Sequence, residues 1–430
     1  METVEGEDSS MPLGSLAPSG PTSGWFARVE SENYGPQKLG QLKLLTATLS
    51  KLRPMTVTPS SKRLRVLLVG GGVACLEAAL ALSDLAGEQI SLTLLAPSPE
   101  FVYRPMTVRE PFAYARAQRL ALSEIAADTG AELVSDALAR VDPEHRLVHT
   151  AAGLQLPYDA LVLGVGARIS VRYEHAVTID DERLDELLHG LIQDIEEGYV
   201  KRLALIVPAA MTWPLPIYEL ALMAAGRAED MNVKLATTIL TPEDSPLAIF
   251  GEGASQAVSE ILAERGVEVI TSAYSEVPST GKIEITPGDR RLEVDRVIAM
   301  PALHGPHVKG LPADSDGFIP VDDHSRVRDT ERVYAAGDVT DFAIKYGGIA
   351  AQQADAAAQS IAALAGAQLQ PQPFHPVIEG VLLTGETPRH VRAYITGGHG
   401  VQSDLVELVQ GPPPPKIAAF YLAPYLRSRA

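Results

Sequence analysis

Cysteine is almost absent from this chain of 430 residues, in which Cys75 is the single one. One cysteine can form no intramolecular disulfide and no cysteine-based metal cluster. Any redox chemistry that the chain performs must therefore be carried by a cofactor. The ten histidines are scattered, and the nearest pair, His304 and His307, lies in a predicted surface loop beside Gly305 and Pro306. We therefore predict no metal site.

Basic residues and uninterrupted apolar runs are also scarce. The 36 Lys and Arg residues face 54 Asp and Glu residues, a net charge of −18, which argues against nucleic acid and against docking on an anionic membrane. The longest apolar stretch, Leu203 to Ala225, is interrupted by three prolines and contains Glu219, so it predicts a buried strand, a turn and a helix. The N-terminus METVEGEDSS lacks the apolar core of a secretory signal. We expect a soluble, cytoplasmic protein.

The most informative stretch is RLRVLLVGGGVACLEAALAL, Arg63 to Leu82. Its β-branched and aliphatic run Val66 to Val69 is typical of a strand buried on both faces of a parallel sheet. Apolar residues from Leu76 onward recur at helical spacing, so the three glycines lie between a strand and a helix N-terminus. Such a turn favours a phosphate, because the helix start offers unpaired N–H groups and a favourable dipole.

The glycines match the G-x-G-x-x-G fingerprint only in part. Gly70 and Gly72 occupy the first two positions, and Cys75 stands where a third glycine or alanine normally lets helix and strand pack closely. An ordinary strand–loop–helix is the alternative interpretation. In dinucleotide sites an acidic residue near the end of the second strand binds the ribose. Here that strand is Ile90 to Leu95, and Glu100 is the first carboxylate after it.

Two further predicted strands end in glycine. Ala160 to Leu163 is followed by Gly164-Val165-Gly166-Ala167, and Val333 to Ala336 is followed by Gly337-Asp338 and, from about Ile349, by an alanine-rich helix. Buried parallel strands of one sheet end at the same edge, where open α/β sheets bind ligands. Asp338 is placed there to accept hydrogen bonds from sugar-like hydroxyls, and its alternative role is a turn or helix cap.

A second strand–helix unit follows, but its turn differs. Arg202 to Val207 predicts the strand and Ile217 to Ala225 the helix, with PAAMTWPLP between them. A dinucleotide site would need glycines in this turn, whereas prolines remove N–H donors and add bulk. The segment Phe101 to Phe112, FVYRPMTVREPF, is predicted as a loop that either crosses the ligand site or packs on the surface.

In this order, the GGG turn, PYDALVLGVGA and VYAAGDV resemble the motifs of the pyridine nucleotide-disulfide oxidoreductase superfamily, flavoproteins with two dinucleotide-binding domains. The chain is most similar to the branch of sulfide:quinone oxidoreductases and type II NADH dehydrogenases. The resemblance implies an α/β fold with two Rossmann-like domains, three-layered with mostly parallel sheets. We expect a flexible extension (1–62), a discontinuous FAD-binding domain (63–175 and 303–366), a second Rossmann-like domain (176–302) and a C-terminal segment (367–430).

The resemblance implies FAD as the cofactor and assigns it contacts. The helix after Gly348 would favour the anionic reduced flavin through its dipole, and Lys345 would add positive charge. Lys345 and Glu219, the latter as a proton relay, are the candidate catalytic residues. The predicted cofactor-binding residues are Gly70, Gly71, Gly72, Val73, Ala74, Glu100, Arg104, Gly166, Ala167, Gly337, Asp338 and Gly348.

Departures from the family pattern restrict the chemistry. WPLPIYE resembles the stretch that carries a redox cysteine in sulfide oxidation, but Thr212 stands near its place, which excludes that route. PAAMTWPLP replaces the loop that binds NADH, so NAD(P)H remains a donor only in a different pose. We expect two electrons to pass from an unidentified donor through the flavin to a quinone or another small acceptor. The alternative is a flavin- or nucleotide-binding scaffold with little turnover.

The C-terminal stretch KIAAFYLAPYL, Lys416 to Leu426, looks amphipathic. Ile417, Phe420, Tyr421 and Leu426 are its candidates for contact with a membrane surface or a second subunit, as in the tail of the family. The alternative is a tail packed on its own domain, because few positive charges lie near it.

Overall fold

The structure is a computed structural model that describes residues 63–114, 116–211, 213–386, 388–395, 401–404 and 416–429. All of them belong to the unit Ser61–Ala430. The predicted extension 1–62 and Thr212 lie outside the described residues.

In chain order the strands are β1 (Leu64–Val69), β2 (Ile90–Leu95), β3 (Glu100–Val102), β4 (Arg119–Ala121), β5 (Glu132–Val134), β6 (Leu138–Asp142), β7 (Leu147–Thr150), β8 (Gln155–Pro157), β9 (Ala160–Leu163), β10 (Arg168–Ser170), β11 (Val177–Thr178), β12 (Arg202–Ile206), β13 (Ala236–Leu240), β14 (Val267–Ile270), β15 (Tyr274–Ser279), β16 (Lys282–Thr286), β17 (Arg290–Glu293), β18 (Arg296–Ala299), β19 (Ala302–His304), β20 (Val333–Ala335), β21 (Val377–Leu382), β22 (Arg389–Ile395) and β23 (Val401–Asp404). The α-helices are α1 (Val73–Ala86), α2 (Leu122–Thr129), α3 (Leu184–Glu196), α4 (Leu215–Asp230), α5 (Glu252–Glu264), α6 (Gly347–Ala365) and α7 (Leu422–Arg427). Shorter 3-10 segments span Gly87–Gln89, Arg104–Phe112 and Ala248–Phe250.

The first large sheet has the order β20-β9-β1-β2-β5, and every neighbouring pair in it is parallel. Its central strands are short aliphatic runs that are buried on both faces, as their sequences predicted. One face packs against α1, α2, α6 and α7, and the other lies against the antiparallel sheet β6-β7-β8. Three layers result.

The second large sheet repeats this plan in the order β11-β18-β12-β13-β14, again entirely parallel. Helices α3, α4 and α5 bury apolar stripes on one face, and the antiparallel sheet β15-β16-β17 covers the other. The predicted α/β fold with two Rossmann-like, three-layered units is therefore confirmed.

One local prediction was wrong. The segment Phe101 to Phe112 is no irregular loop: it begins in β3, which pairs with β4, and continues as a 3-10 helix over Arg104–Phe112. Pro105 at the start of this helix fixes a compatible backbone angle without losing a needed hydrogen bond.

The described part of the C-terminal segment, residues 416–429, packs on its own unit. Ile417 and Leu426 are 2% and 5% exposed and lie in the core beside α1. The backbone N–H groups of Tyr421 and Leu422 donate to the Glu77 carboxylate at 2.8 and 2.6 Å. The alternative of a packed tail is thus confirmed for these residues. Phe420 is 74% exposed. In the described part of the chain, no helix has both the length and the apolarity to span a bilayer.

Candidate functional site

The fold brings the three glycine motifs together. Strands β20, β9 and β1 are adjacent and parallel, so Gly337, Gly164 and Gly70, which follow them, meet at one edge of the sheet. This edge includes the carboxyl ends of the strands, where open α/β sheets form their ligand crevice.

Gly70 and Gly164 make the closest backbone approach at this edge. Gly70 has a φ of +129°, its N–H donates to the Leu95 carbonyl at 2.8 Å, and a Cβ on it would lie 2.2 Å from the Gly164 carbonyl oxygen. A Cβ on Gly164 would in turn lie 2.8 Å from the Cys75 sulfur. Cys75, at the third fingerprint position, therefore packs against Gly164 at the end of β9. Because Gly164 has no side chain, a cysteine fits there. Burial raises the pKa of the Cys75 thiol to about 12, so this cysteine is structural.

Gly72 and Gly166 face open space instead. A Cβ on either would have no other atom within 4 Å, and Gly72 immediately precedes α1, whose first residues are Val73 and Ala74. Gly71 is backed by the side chain of Leu122. The start of α1 thus presents the first-turn N–H groups of a helix to an unfilled edge of the sheet.

Gly337 fits between two helix N-termini. Its φ is +83°, its N–H donates to the Gln353 amide oxygen at 2.8 Å, and a Cβ on it would lie 3.0 Å from Ala350 of α6 and 3.7 Å from Ala74 of α1. Only a residue without a side chain lets the chain pass here, and Asp338 follows directly. The two helix starts and the Asp338 carboxyl therefore share one region.

Asp338 lies in a deep but water-accessible place. It is partly exposed, yet burial raises the pKa of its carboxyl. The positive charges of Lys345 and Arg104 oppose this rise in the pKa. Lys345 is buried, donates to the Thr340 carbonyl and lies 3.8 Å from the centre of the Phe318 ring. Burial lowers the pKa of Lys345 to about 8. This lysine thus holds the segment between Asp338 and α6 and brings positive charge to it.

Arg104 connects the Rossmann-like part around the first sheet to the part around the second sheet. It lies on the 3-10 helix and pairs with Glu182 at 2.5 Å. Its neighbour Asp181 is exposed, yet desolvation raises the pKa of that carboxyl, while the charges of Arg104 and Lys416 oppose the rise. Sequence reasoning missed Asp181, because only the packing of the two units places it near Asp338.

Glu219 lies in a buried ion pair. It is in the second turn of α4, 1% exposed, and its carboxylate accepts from Lys416 at 2.7 Å and from the Leu383 N–H at 2.9 Å. The Lys416 ammonium also donates to the Pro105 carbonyl at 2.7 Å. Burial raises the pKa of Glu219, and the adjacent ammonium opposes that rise. Its helix starts at Leu215, two residues before the predicted Ile217.

Two other predicted residues have surroundings that do not by themselves indicate a ligand. Gly348 is the second residue of α6, which starts two residues earlier than the predicted Ile349, and a Cβ on it would lie 2.3 Å from the Tyr346 ring. The Tyr346 ring therefore leaves no room for a side chain at Gly348. Glu100 begins β3 and is exposed, and its N–H donates to the Ser98 hydroxyl at 3.3 Å.

An aromatic stack stands at the start of α6. The rings of Trp213 and Tyr346 lie 4.1 Å apart at an angle of 18°. The Tyr346 hydroxyl donates to the Glu379 carbonyl and accepts the Ala418 N–H at 3.4 Å. Trp213 comes from the loop after β12, so this pair joins both units. The sequence offers no signal for it, because the two rings are 133 residues apart.

No cluster of His, Cys, Asp and Glu able to hold a metal ion occurs among the residues that the structure describes. His304 and His307 are both exposed, but His304 ends β19 instead of lying in the predicted loop.

Comparisons with known proteins agree with the motifs. Residues 218–360 match the family model of the pyridine nucleotide-disulphide oxidoreductases. A NADH dehydrogenase-like protein of Mycobacterium tuberculosis is 26% identical over 300 residues, 64% of this chain and 72% of that protein. An alternative NAD(P)H-ubiquinone oxidoreductase of Arabidopsis thaliana is 24% identical over 366 residues, 73% of this chain and 67% of that protein.

The solved structures agree on the fold. The sulfide:quinone oxidoreductase of Aquifex aeolicus superimposes with a TM-score of 0.72 at 18% identity, over 79% of this chain and 86% of that one. The family match over residues 218–360, the two relatives and the shared fold confirm the resemblance that the glycine motifs carried, to the branch of sulfide:quinone oxidoreductases and type II NADH dehydrogenases.

Proposed function

We propose that this protein is an FAD-dependent oxidoreductase whose cofactor lies at the carboxyl edge of the first sheet. The observation that carries the proposal is that the glycines of this edge have two roles. Gly70 and Gly337 have no side chain and so let neighbouring backbone come close, whereas a side chain on Gly72 or Gly166 would meet no other atom. A turn built this way accommodates a pyrophosphate against backbone N–H groups.

Different residues are assigned to different parts of the cofactor. In this proposal the N–H groups at Gly72, Val73 and Ala74 bind the pyrophosphate, with Gly70 and Gly71 shaping the turn. Asp338 accepts hydrogen bonds from the hydroxyls of the cofactor's sugar chain. Gly166 and Ala167 line the flavin side, and Arg104, Glu100 and Gly348 remain predicted contacts. The predicted domain boundaries, 63–175 with 303–366 and 176–302, belong to this proposal.

Bound FAD supplies the two-electron chemistry that a chain with one buried cysteine cannot perform alone. Lys345 and the N-terminus of α6 bring positive charge to the region beside Asp338, and positive charge there favours an electron-rich cofactor. The Glu219–Lys416 pair holds the 3-10 helix that carries Arg104, through the Pro105 carbonyl. This favours a positioning role for Glu219 over the proton relay first predicted.

We propose that electrons pass from a small donor to a small acceptor, with quinone as the acceptor that the relatives' names suggest. NAD(P)H is the donor those names suggest. The proline-rich loop after β12 opposes it, because Pro214 and Pro216 offer no N–H group to a phosphate.

The first experiment is an absorption spectrum of the purified full-length protein, of Asp338→Ala and of the control Asp316→Ala, whose carboxylate is exposed in a loop. We expect an oxidised-flavin spectrum in the parent and the control and at least a tenfold loss of bound flavin in Asp338→Ala. Equal flavin in all three would refute the assignment of Asp338.

Anaerobic additions of NADH and then NADPH to the same samples identify the donor. Slow or absent bleaching is expected if the β12 loop excludes the dinucleotide. Rapid bleaching would restore a nicotinamide site. A flavin that no reductant of physiological potential reduces quickly would instead favour the scaffold alternative.

A further inference from the structure

The stacked rings of Trp213 and Tyr346, here called the aromatic partition, stand where the two large sheets meet. Trp213 comes from the loop that follows β12 of the second sheet, and Tyr346 immediately precedes α6, which packs on the first sheet. Their ring centroids lie 4.1 Å apart at an angle of 18°. The partition therefore joins a loop at the carboxyl edge of one sheet to a helix start at the edge of the other.

The partition lies within one helical turn of the third glycine motif. The Ala350 N–H donates to the Tyr346 carbonyl at 3.0 Å, so these two residues span the first turn of α6. A Cβ on Gly337 would lie 3.0 Å from the Ala350 side chain. One turn of an α-helix rises only about 5.4 Å. The partition thus borders the region to which the proposed function assigns the flavin.

The Trp213 ring is held in place from several sides. Phe250, which is 0% exposed, meets it edge-on, with centroids 5.5 Å apart at an angle of 64°. A Cβ on Gly380 would lie 3.7 Å from the Trp213 ring, so β21 passes close to it. Pro214 follows directly and restricts the backbone of the loop. Because separate segments pack on it, this ring is a fixed wall rather than a swinging gate.

The Tyr346 ring is equally fixed. It is 5% exposed, and its hydroxyl is hydrogen-bonded to the Glu379 carbonyl and accepts the Ala418 N–H at 3.4 Å. The absence of a side chain at Gly348 leaves room for the ring on its other side. Trp213 therefore rests against a ring that cannot yield to it.

A fixed wall at this place restricts which donors can reach a flavin. Reacting atoms must come within roughly 3–3.5 Å of each other, so a hydride-donating ring has to lie flat against its acceptor. A ring that extends from the second sheet towards the first would need the space that the Trp213 indole occupies. Poor phosphate binding by the proline-rich loop would weaken NADH binding, whereas this wall acts on the nicotinamide ring itself.

We propose that Trp213 is a specificity-determining residue that keeps dihydronicotinamide rings away from the flavin. The proposal rests on the proposed function and deepens it, because it excludes one class of donor from the same site. Donors that do not approach through the second sheet remain able to reduce the cofactor.

A nicotinamide without phosphates tests the wall separately from the phosphate loop. The probe is 1-benzyl-1,4-dihydronicotinamide, which gives one hydride to a flavin and is left as the 1-benzylnicotinamide cation. Anaerobic stopped-flow absorbance follows the bleaching of the flavin in the full-length protein. We expect the parent to react at least tenfold more slowly than free FAD, and Trp213→Ala to react at least tenfold faster than the parent. A parent as fast as free FAD, or an unchanged Trp213→Ala, would overturn the proposal.

Two matched variants and a second reductant identify the cause. Trp213→Phe keeps a flat ring against Tyr346 and should stay close to the parent, as should Trp25→Ala, which removes the only other tryptophan. Dithionite, which needs no stacking, should reduce all four proteins at rates within a factor of about three. If Trp213→Ala accelerated dithionite as much as the dihydronicotinamide, general loosening would explain the result and the proposal would fail.

An equilibrium spectrum gives a readout that does not depend on turnover. The 1-benzylnicotinamide cation is added to the dithionite-reduced proteins, because a pyridinium ring stacked on reduced flavin absorbs at long wavelength. We expect this band in Trp213→Ala and not in the parent or Trp213→Phe. The band in the parent would refute the proposal. If Trp213→Ala does not fold, Trp213→Leu, which is apolar but lacks a flat ring, takes its place in both measurements.

The same samples separate this proposal from the proposed function. A parent protein that contains no flavin would refute the proposed function itself. A parent whose bound flavin reacts with the dihydronicotinamide as fast as free FAD would refute the role of Trp213 alone and leave the proposed function standing.

Discussion

Glycines serve two opposite purposes at the carboxyl edge of the first sheet. At Gly70 a side chain has no room, because its Cβ would lie 2.2 Å from the Gly164 oxygen, and the φ of +129° disfavours any other residue. At Gly72 a side chain has room, and φ is −96°, which every residue adopts. Replacing Gly70 therefore tests folding, whereas replacing Gly72 tests binding.

Substitution of Gly72 separates charge from shape. Asp and Asn are both good residues at the position preceding a helix, so Gly72→Asp and Gly72→Asn should fold as well as the parent. The aspartate carboxylate would face the pyrophosphate, and we expect at least tenfold less bound flavin in Gly72→Asp than in Gly72→Asn. Absorbance of the purified proteins measures this, with thermal unfolding as the control. Equal flavin in both variants would place the phosphate elsewhere.

The buried pair of Glu219 and Lys416 is expected to stabilise the fold through its partners. Lys416→Met leaves a buried carboxylate without its cation, which should lower the free energy of unfolding by about 3–5 kcal/mol. Lys416→Met combined with Glu219→Gln removes both charges, and the amide can still accept from the Leu383 N–H, so most of the loss should be recovered. Denaturant unfolding of parent, single and double variants measures both steps. A double variant no more stable than the single one would contradict this account.

At the scale of elements, α1 and α6 pack together with one acidic residue each at their contact. Glu77 of α1 and Asp355 of α6 interact with each other, and a hydrogen bond between the two carboxyls requires a proton on one of them. Burial and the Glu77 charge raise the pKa of Asp355 to about 8. Glu77 also accepts hydrogen bonds from the N–H groups of Tyr421 and Leu422. The Glu77–Asp355 pair therefore lies where the C-terminal segment packs against α1.

This pair predicts a pH-dependent stability with a definite sign. The folded protein retains a proton on Asp355 that the unfolded chain releases near the ordinary pKa of an aspartate, so the contribution is complete below that value and is lost as pH rises through about 8. One proton corresponds to roughly 1 kcal/mol per pH unit across this window. Tyr421 interacts with this pair and with Asp84, and both residues are unchanged in the three proteins compared below.

Asp355→Asn should flatten this slope, because the amide donates to Glu77 at every pH. Thermal unfolding at pH 6, 7 and 8.5 would be compared for the parent, Asp355→Asn and the exposed control Asp316→Asn. The parent and the control should lose stability with rising pH, and the variant should lose less. Parallel curves for all three would show that the shared proton contributes nothing.

At the scale of the whole molecule, the described residues belong to the unit Ser61–Ala430, and its C-terminal segment contacts both of its halves. Lys416 pairs with α4, and the segment from Tyr421 onward contacts α1 and α2, where Tyr425 donates to Asp128 at 2.6 Å. The chain end is therefore part of the core.

Two shortened proteins test this organisation. Residues 61–430 should unfold at the same temperature as the full chain and bind the same amount of flavin. Residues 61–415 lose the buried side chains of Lys416, Ile417, Leu422 and Leu426, and we expect a much lower unfolding temperature or no soluble protein. Circular dichroism and flavin absorbance measure both. If residues 61–415 were as stable as 61–430, the C-terminal segment would be a surface attachment.

Local sequence patterns predicted much of the fold. Ile90–Leu95 and Ala160–Leu163 have the bounds that their apolar patterns indicated. The 3-10 helix at Arg104–Phe112 escaped prediction because its two prolines read as breaks, although Pro105 lies where a helix tolerates proline. The ion pair of Glu219 with Lys416 could not be foreseen, because 197 residues separate the two side chains.

The sequence by itself determined the strands, the glycine turns and the lack of a redox disulfide, since these depend on neighbouring residues and on composition. The tertiary structure alone decided which glycines close the backbone and which leave space, since that depends on atoms from β9, α1 and α6 meeting at one edge. It also decided that Glu219 is paired with Lys416 and that Gly348 makes room for Tyr346. Contacts between distant segments arise only when the two sheets and the C-terminal segment pack together.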